Sequence, residues 1–256
     1  MIRAFLAGVV IAAIAPLIGN FLVIRRFSLI ADTLSHVALS GVAIGLIVGT
    51  APLLTTLVLT TVASVVIERL RTAKNIPGEA VLAMFLPGGL ALSIVLMSLA
   101  NGFNTNLFSY LFGSITTVRE SEVWLIAGLG ILTVIIIVSL YNQLLYASFD
   151  EASARVRGIP VDRVNTILII LTAITVSVSM RVVGTLLIGA LIVIPVVTAM
   201  QVAKSFKQTI VFSQGFALVS VLAGLFVSYY LNLPAGGVIV LLSLLIFGVV
   251  AIIKKS

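Results

Sequence analysis

Asp32 and His36 stand four residues apart inside the apolar run RRFSLIADTLSHVALSGVAIGLIVG, residues 25–49. His36 is the only histidine in the chain, and Asp32 is one of eight acidic residues. A carboxylate oxygen and an imidazole nitrogen together suit borderline divalent metals such as zinc, manganese or iron. On an α-helix, residues i and i+4 share a face one turn apart, so Asp32, His36 and Ser40 form a single polar stripe. Two ligands are too few for a tight site, which usually takes about four. A symmetric dimer with this helix beside its two-fold axis would supply two aspartates and two histidines. The rival reading pairs Asp32 with Arg25 or Arg26 at the membrane interface and hydrogen-bonds His36 to a neighbouring helix. Against it stands the cost of about 2.5–3.5 kcal/mol for a charged side chain at the centre of a span; such groups usually face a polar cavity. That cost bears harder on His36, two turns in, than on Asp32.

The element that positions this pair is a membrane helix. The 256 residues are 61% hydrophobic and 9% charged, and apolar runs of about twenty residues recur from end to end. Stretches such as VWLIAGLGILTVIIIVSL are apolar on every face, where a barrel would show short alternating segments of about ten residues. The fold class is therefore all-α, a polytopic membrane protein. Gly41, Gly45 and Gly49 recur on a second stripe of the Asp32 helix and offer the small-residue surface that lets a neighbour approach closely. Cysteine is absent, which removes disulfides and thiolate metal sites. There is no G-x-x-x-x-G-K-[ST], so the chain carries no P-loop of its own, and one histidine cannot make H-E-x-x-H. The first run leads straight into another span with no A-x-A-like cleavage site, so it is expected to be mature structure.

The apolar runs predict nine spans, near 4–24, 29–49, 51–69, 78–99, 121–141, 163–180, 183–200, 209–231 and 235–253. The count ranges from eight to ten because residues 100–120 are too polar to span, yet carry aromatics suited to an interfacial or re-entrant segment. Placing Arg25 and Arg26 in the cytoplasm puts Arg69, Arg71, Lys74, Arg155, Arg157, Arg163, Lys204, Lys207, Lys254 and Lys255 there as well. Only Arg3, Arg119 and Arg181 remain outside. Twelve cations against three set the amino terminus outside and the carboxyl terminus in the cytoplasm. The net charge of +7 then reflects topology and contact with anionic lipid, with no nucleic-acid partner implied.

The longest cytoplasmic interruption, ASFDEASARVRGIPVDR at 147–163, reads as a short helix with both ends marked. Ser148 and Glu151 fit an S-x-x-E capping box, Glu151 can pair with Arg155 at i, i+4, Gly158 suits a left-handed stop, and Pro160 prevents continuation. So short a helix is marginal in water and draws stability from the membrane surface or a partner protein. In a membrane protein without an engine of its own, it is where a motor subunit could push. Pro16, Pro87 with Gly88 and Gly89, and Pro195 interrupt helices, as is ordinary in membranes. TAITVSVS at 172–179 reads as interhelical hydrogen bonding, Glu79 as a helix-start residue, and Arg181 as a snorkelling side chain.

With these residues in view, the chain resembles the permease subunits of the metal-importing ABC transporters, the family for zinc, manganese and iron(II). The resemblance rests on GNFLVIRRFSLIADTLSHVALSG, LFGSI at 111–115, FDEASARVRGIPV, VVGTLLIGALIVIPVVTA at 182–199 and LNLPAGGVIVLL at 231–242. Its most specific parts are D-x-x-x-H and a G-x-L-L-x-x-A-L-x-x-x-P segment formed by Gly184, Leu186, Leu187, Ala190, Leu191 and Pro195. It departs from the family at Ser40, where proline is common, in the single acidic Glu79 before the fourth span, and in lacking histidine-rich loops.

The resemblance implies one transmembrane permease domain over residues 1–256, of the type II importer kind, working as a homodimer in the prokaryotic cell membrane. It implies two cytoplasmic ABC ATPase subunits and an extracytoplasmic metal-binding protein as partners. It implies a coupling helix at 149–157, with Asp150, Glu151, Ala154, Arg155 and Gly158 at the ATPase, and Asp32 and His36 lining the metal route. No cofactor is permanently bound, the divalent ion being the cargo, and the chain is a transporter rather than an enzyme. The rivals are a siderophore or cobalamin-type ABC permease, whose wider conduit has no need of the Asp32–His36 ligands, and a secondary metal transporter that works without ATP.

Overall fold

The computed structural model describes residues 2–72, 76–99, 110–113, 119–185 and 187–255. Among these it forms eleven helices: α1 (Ile2–Ile24), α2 (Leu29–Val48), α3 (Pro52–Thr72), α4 (Gly78–Leu99), α5 (Glu120–Ser139), α6 (Tyr141–Phe149), α7 (Glu151–Val156), α8 (Val161–Ser179), α9 (Ile188–Val202), α10 (Phe206–Leu231) and α11 (Ala235–Lys255). Eight of them, α1 to α5, α8, α10 and α11, are long and apolar enough to cross a membrane. The expected interfacial segment at 100–120 falls largely outside the described residues, as do Lys74, Leu186 and the end of the LFGSI segment.

The seventh expected span, 183–200, differs from expectation. Its helix is α9, of 15 residues, which at about 1.5 Å per residue reaches roughly 22 Å against a hydrocarbon core of about 30 Å. The helix starts late because Gly184 takes φ +89°, a left-handed conformation that glycine alone adopts freely. There the Thr185 amide donates to the Tyr110 carbonyl at 2.9 Å instead of continuing a helix. Val182, Val183 and Thr185 are all fully buried, which is how irregular backbone is tolerated at such depth: the protein, not lipid, surrounds it. A methyl group on Gly184 would stand 2.4 Å from the Leu111 carbonyl oxygen. Gly184 is thus a turn residue under a close backbone approach, not a helix-packing residue.

Lipid is as apolar as a packed interior, so hydrophobic periodicity does not sort inner from outer helices here; small residues do. α1, α2 and α8 are the inner helices, with 72%, 72% and 67% of their spanning windows buried, against 17% for α11. α2 lies between α3 and α4 and also meets α8 and α9, while α1 packs on α5, α8, α9 and α10. A β-carbon on Gly41 would stand 2.6 Å from the Thr56 α-carbon, and one on Gly45 2.8 Å from that of Pro52, so these two glycines set the α2–α3 approach. Gly49 is different: it caps α2 at φ +73° with no described residue within 4 Å of its missing side chain, so it stops the helix rather than packing it. Pro195 is buried inside α9, which runs through it.

Candidate functional site

Asp32 sits in the first turn of α2 and His36 one turn later, both half-buried among neighbours that are almost all fully buried. Arg25 does not reach Asp32: its guanidinium bonds to the Ala147 carbonyl at 2.9 Å and to Glu151 at 3.4 Å. Among the described residues, no ion pair or hydrogen bond engages the Asp32 carboxylate, so the reading that ties it to Arg25 or Arg26 fails. The carboxylate lies against the first turn of α9, where a β-carbon on Gly189 would stand 2.7 Å from Oδ1 and 3.2 Å from Cγ. His36 Nδ1 is buried and has no hydrogen-bond partner among the described residues, a state that costs free energy unless a ligand or partner meets the ring.

Ser40 leaves the stripe. Its buried hydroxyl donates to the Gly89 carbonyl at 2.8 Å, and Gly89 is glycine because a β-carbon there would meet the Val37 amide nitrogen at 2.8 Å and the His36 carbonyl carbon at 3.0 Å. α4 therefore clamps the backbone of α2 at His36, fixing the ring's origin. A cleft of about 370 Å³ between α2, α3 and α4, lined by Val37, Ser40, Leu59, Met84 and Phe85, carries no ionisable side chain. It belongs to packing rather than to the Asp32–His36 pair. Among the described residues no group of three or more His, Cys, Asp or Glu stands where it could hold a metal ion.

At the opposite side of Arg25, the 149–157 segment is not one helix. α6 ends at Phe149, Asp150 is extended at φ −152°, and α7 begins at Glu151. The cap is Asp150 rather than Ser148: its carboxylate accepts the Ser153 amide at 3.0 Å and the Ser153 hydroxyl at 2.5 Å. These bonds hold the Asp150 carboxyl below its ordinary pKa. Glu151 does not pair with Arg155; it meets Arg25 and accepts from Asn165 of α8 at 3.2 Å. Arg155 turns to Asp162 at 3.0 Å, which raises its own pKa. Ala154 is buried beneath the turn, and Gly158 takes φ +79° to reverse the chain. Val156 is 90% exposed and Phe149 65%, two apolar side chains presented outward beside Arg157, whose guanidinium stacks on Tyr146 at 5.0 Å.

Arg181, expected to snorkel, is instead buried. It donates to Glu122 of α5 at 2.5 Å and stacks over the Tyr110 ring at 4.6 Å. The two side chains are 9% and 11% exposed. Only the pairing of two ionisable residues 59 positions apart reveals this, and no local spacing in the sequence signals it.

Eight spanning-length helices among the described residues, with a charged helical insert between two of them, define a multi-pass membrane protein. The chain belongs to the ABC 3 transport family, whose profile matches residues 1–255. It is 35% identical over 245 residues to the manganese import system permease protein ScaB of Streptococcus gordonii, covering 96% of this chain and 88% of that protein. It is 30% identical over 254 residues to the high-affinity zinc uptake system membrane protein ZnuB of Haemophilus influenzae, covering 99% and 97%. Among solved structures, PsaBC from Streptococcus pneumoniae in complex with Fab superposes with a TM-score of 0.86 at 31% identity, covering 97% of this chain and 89% of that one. The chain is thus the membrane permease of an ABC transporter.

Proposed function

We propose that residues 1–256 act as one transmembrane permease domain that imports a divalent transition metal, of the zinc, manganese and iron(II) class, across the prokaryotic plasma membrane. The observation that carries this reading is the Asp32–His36 pair: among the described residues, a carboxylate with no cation paired to it and an imidazole whose buried Nδ1 has no hydrogen-bond partner, one turn apart on an inner helix. Oxygen and nitrogen donors select borderline divalent ions, and the manganese and zinc names of the relatives point the same way. Two copies of the chain about a two-fold axis would double the pair to four ligands.

The permease has its amino terminus outside and its carboxyl terminus in the cytoplasm, as the cation bias supports, with the short α9 and the buried stretch 182–185 ahead of it completing a ninth crossing beside the eight long helices. ATP binding by two cytoplasmic ATPase subunits moves the 149–157 segment and reopens the central interface from the outer to the inner side. An extracytoplasmic metal-binding protein delivers the ion. The ion is cargo, so Asp32 and His36 hold it weakly or briefly; a tight site would trap it. Asp32→Ala and His36→Ala each abolish ATP-driven uptake of manganese, zinc or iron(II) by reconstituted complexes that still contain the ATPase. Normal uptake by both variants removes the pair from the mechanism. Gradient-driven flux through the permease alone would move the assignment to a secondary transporter.

A further inference from the structure

Arg25 occupies the turn between α1 and α2, seven residues before Asp32, and its side chain is only 10% exposed. It leaves this turn to grip the charged insert on two sides, at the Ala147 carbonyl in the last turn of α6 (2.9 Å) and at Glu151 in the first turn of α7 (3.4 Å). Glu151 is held in turn by Asn165 of α8. The same turn is stiff. Arg26 is in the left-handed region at φ 55°, the Phe27 amide donates to Leu22 at 2.9 Å, and the Arg71 guanidinium of α3 lies 5.1 Å over the Phe27 ring. Beyond the turn α2 is continuous from Leu29 through Asp32 and His36. A rigid helix attached to a rigid turn carries a displacement of its first residues to both ligands.

Resting on the transport reading above, we infer that Arg25 is a positioning residue: its bonds to Ala147 and Glu151 are the strut by which movement of α7 reaches the Asp32–His36 pair. Arg25 contacts neither ion nor ATP. Its function is to make α2 follow the insert. Burial of the guanidinium lowers its pKa, Glu151 being the chief opposing influence; the bond to the Ala147 carbonyl is part-buried, and Glu151 meets the same guanidinium from the more exposed side. Coupling of this kind is expressed as metal moved per ATP consumed, not as ATP hydrolysis itself.

The test uses the complete complex with its ATPase in proteoliposomes, measuring manganese uptake and ATP hydrolysis together for wild type, Arg25→Ala, Arg25→Lys, Glu151→Gln and the Arg25→Ala/Glu151→Gln double variant. Arg25→Ala keeps ATP hydrolysis within about twofold while metal moved per ATP falls about tenfold, inside the 5–150-fold range that coupling between sites typically spans. Arg25→Lys, which keeps the charge, recovers part of the loss. Glu151→Gln lowers the ratio as well, and the double variant is no worse than the more severe single, because both break one strut. An unchanged ratio in Arg25→Ala, or losses that multiply in the double variant, overturns the inference. If Arg25→Ala fails to assemble, the ratio in Arg25→Lys decides: a ratio equal to wild type overturns it. A wild-type complex that moves no metal refutes the transport reading instead.

Discussion

Alanine at position 189 would put a methyl carbon 2.7 Å from Asp32 Oδ1 and 3.2 Å from Cγ. That is about 0.7 Å inside ordinary van der Waals contact, so one of the two groups must move. Gly189 sits in the first turn of α9, at a backbone conformation open to any L-residue, and α9 is held by α1, α2, α10 and α11. The flexible partner is the Asp32 side chain, which swings away. Metal–ligand distances tolerate about 0.2 Å, and misplacing a reacting group by about 1 Å costs on the order of 10²-fold. Gly189→Ala therefore lowers the ATP-driven manganese uptake rate of the reconstituted complex by about ten- to a hundredfold. The fold itself does not suffer, since alanine favours a helix interior over glycine by about 1 kcal/mol. The melting temperature of the detergent-solubilised variant stays at or above that of wild type. Gly215→Ala, at a position with no described residue within 4 Å, transports normally and controls for the methyl group. Wild-type uptake by Gly189→Ala would refute the reasoning, because the carboxylate could then be displaced without consequence for the ion.

Glu122→Ala leaves Arg181 buried without its carboxylate, which destabilises by about 3–5 kcal/mol for a buried pair. A thermal-shift assay shows a marked fall, while Glu122→Leu with Arg181→Met recovers most of it; a neutral Glu122→Ala shows the pair to be solvated. Asp150→Ala removes the cap of α7, whereas Asp150→Asn keeps an acceptor, so ATPase co-purification falls for the first and much less for the second. Because the Asp150 pKa is lowered in the fold, its contribution is complete above the ordinary carboxylate range and is lost as pH falls through the lowered value. ATPase retention is consequently flat between about pH 6 and 8 and declines only in acid.

The membrane fold and the Asp32–His36 pair were legible from residue order because both follow from local arithmetic. About twenty apolar residues make a spanning helix wherever they occur, and i, i+4 spacing puts two side chains on one face in any helix. The short α9 was not legible: residues 183–200 have the length and hydropathy of a span, and only the φ +89° of Gly184, used for a bond to Tyr110, shows that the helix begins at Ile188. The charged insert misled in the same way. Ser148 and Glu151 have capping-box spacing, yet Asp150 is the residue at the boundary, and Glu151 is drawn to Arg25, 126 positions away.

Sequence alone thus determined that this is a helical membrane protein and that one carboxylate and one imidazole lie on a single helical face. Tertiary structure decided which partners those groups keep. It directs Arg25 to the insert and away from Asp32, turns Ser40 into α4, sets Gly189 against the carboxylate, and buries Arg181 on Glu122. The reason is that helix formation depends on neighbours within a turn, whereas freedom or capture of a charged group depends on whichever distant helix packs beside it, and in a bilayer small residues scattered along the chain set that packing.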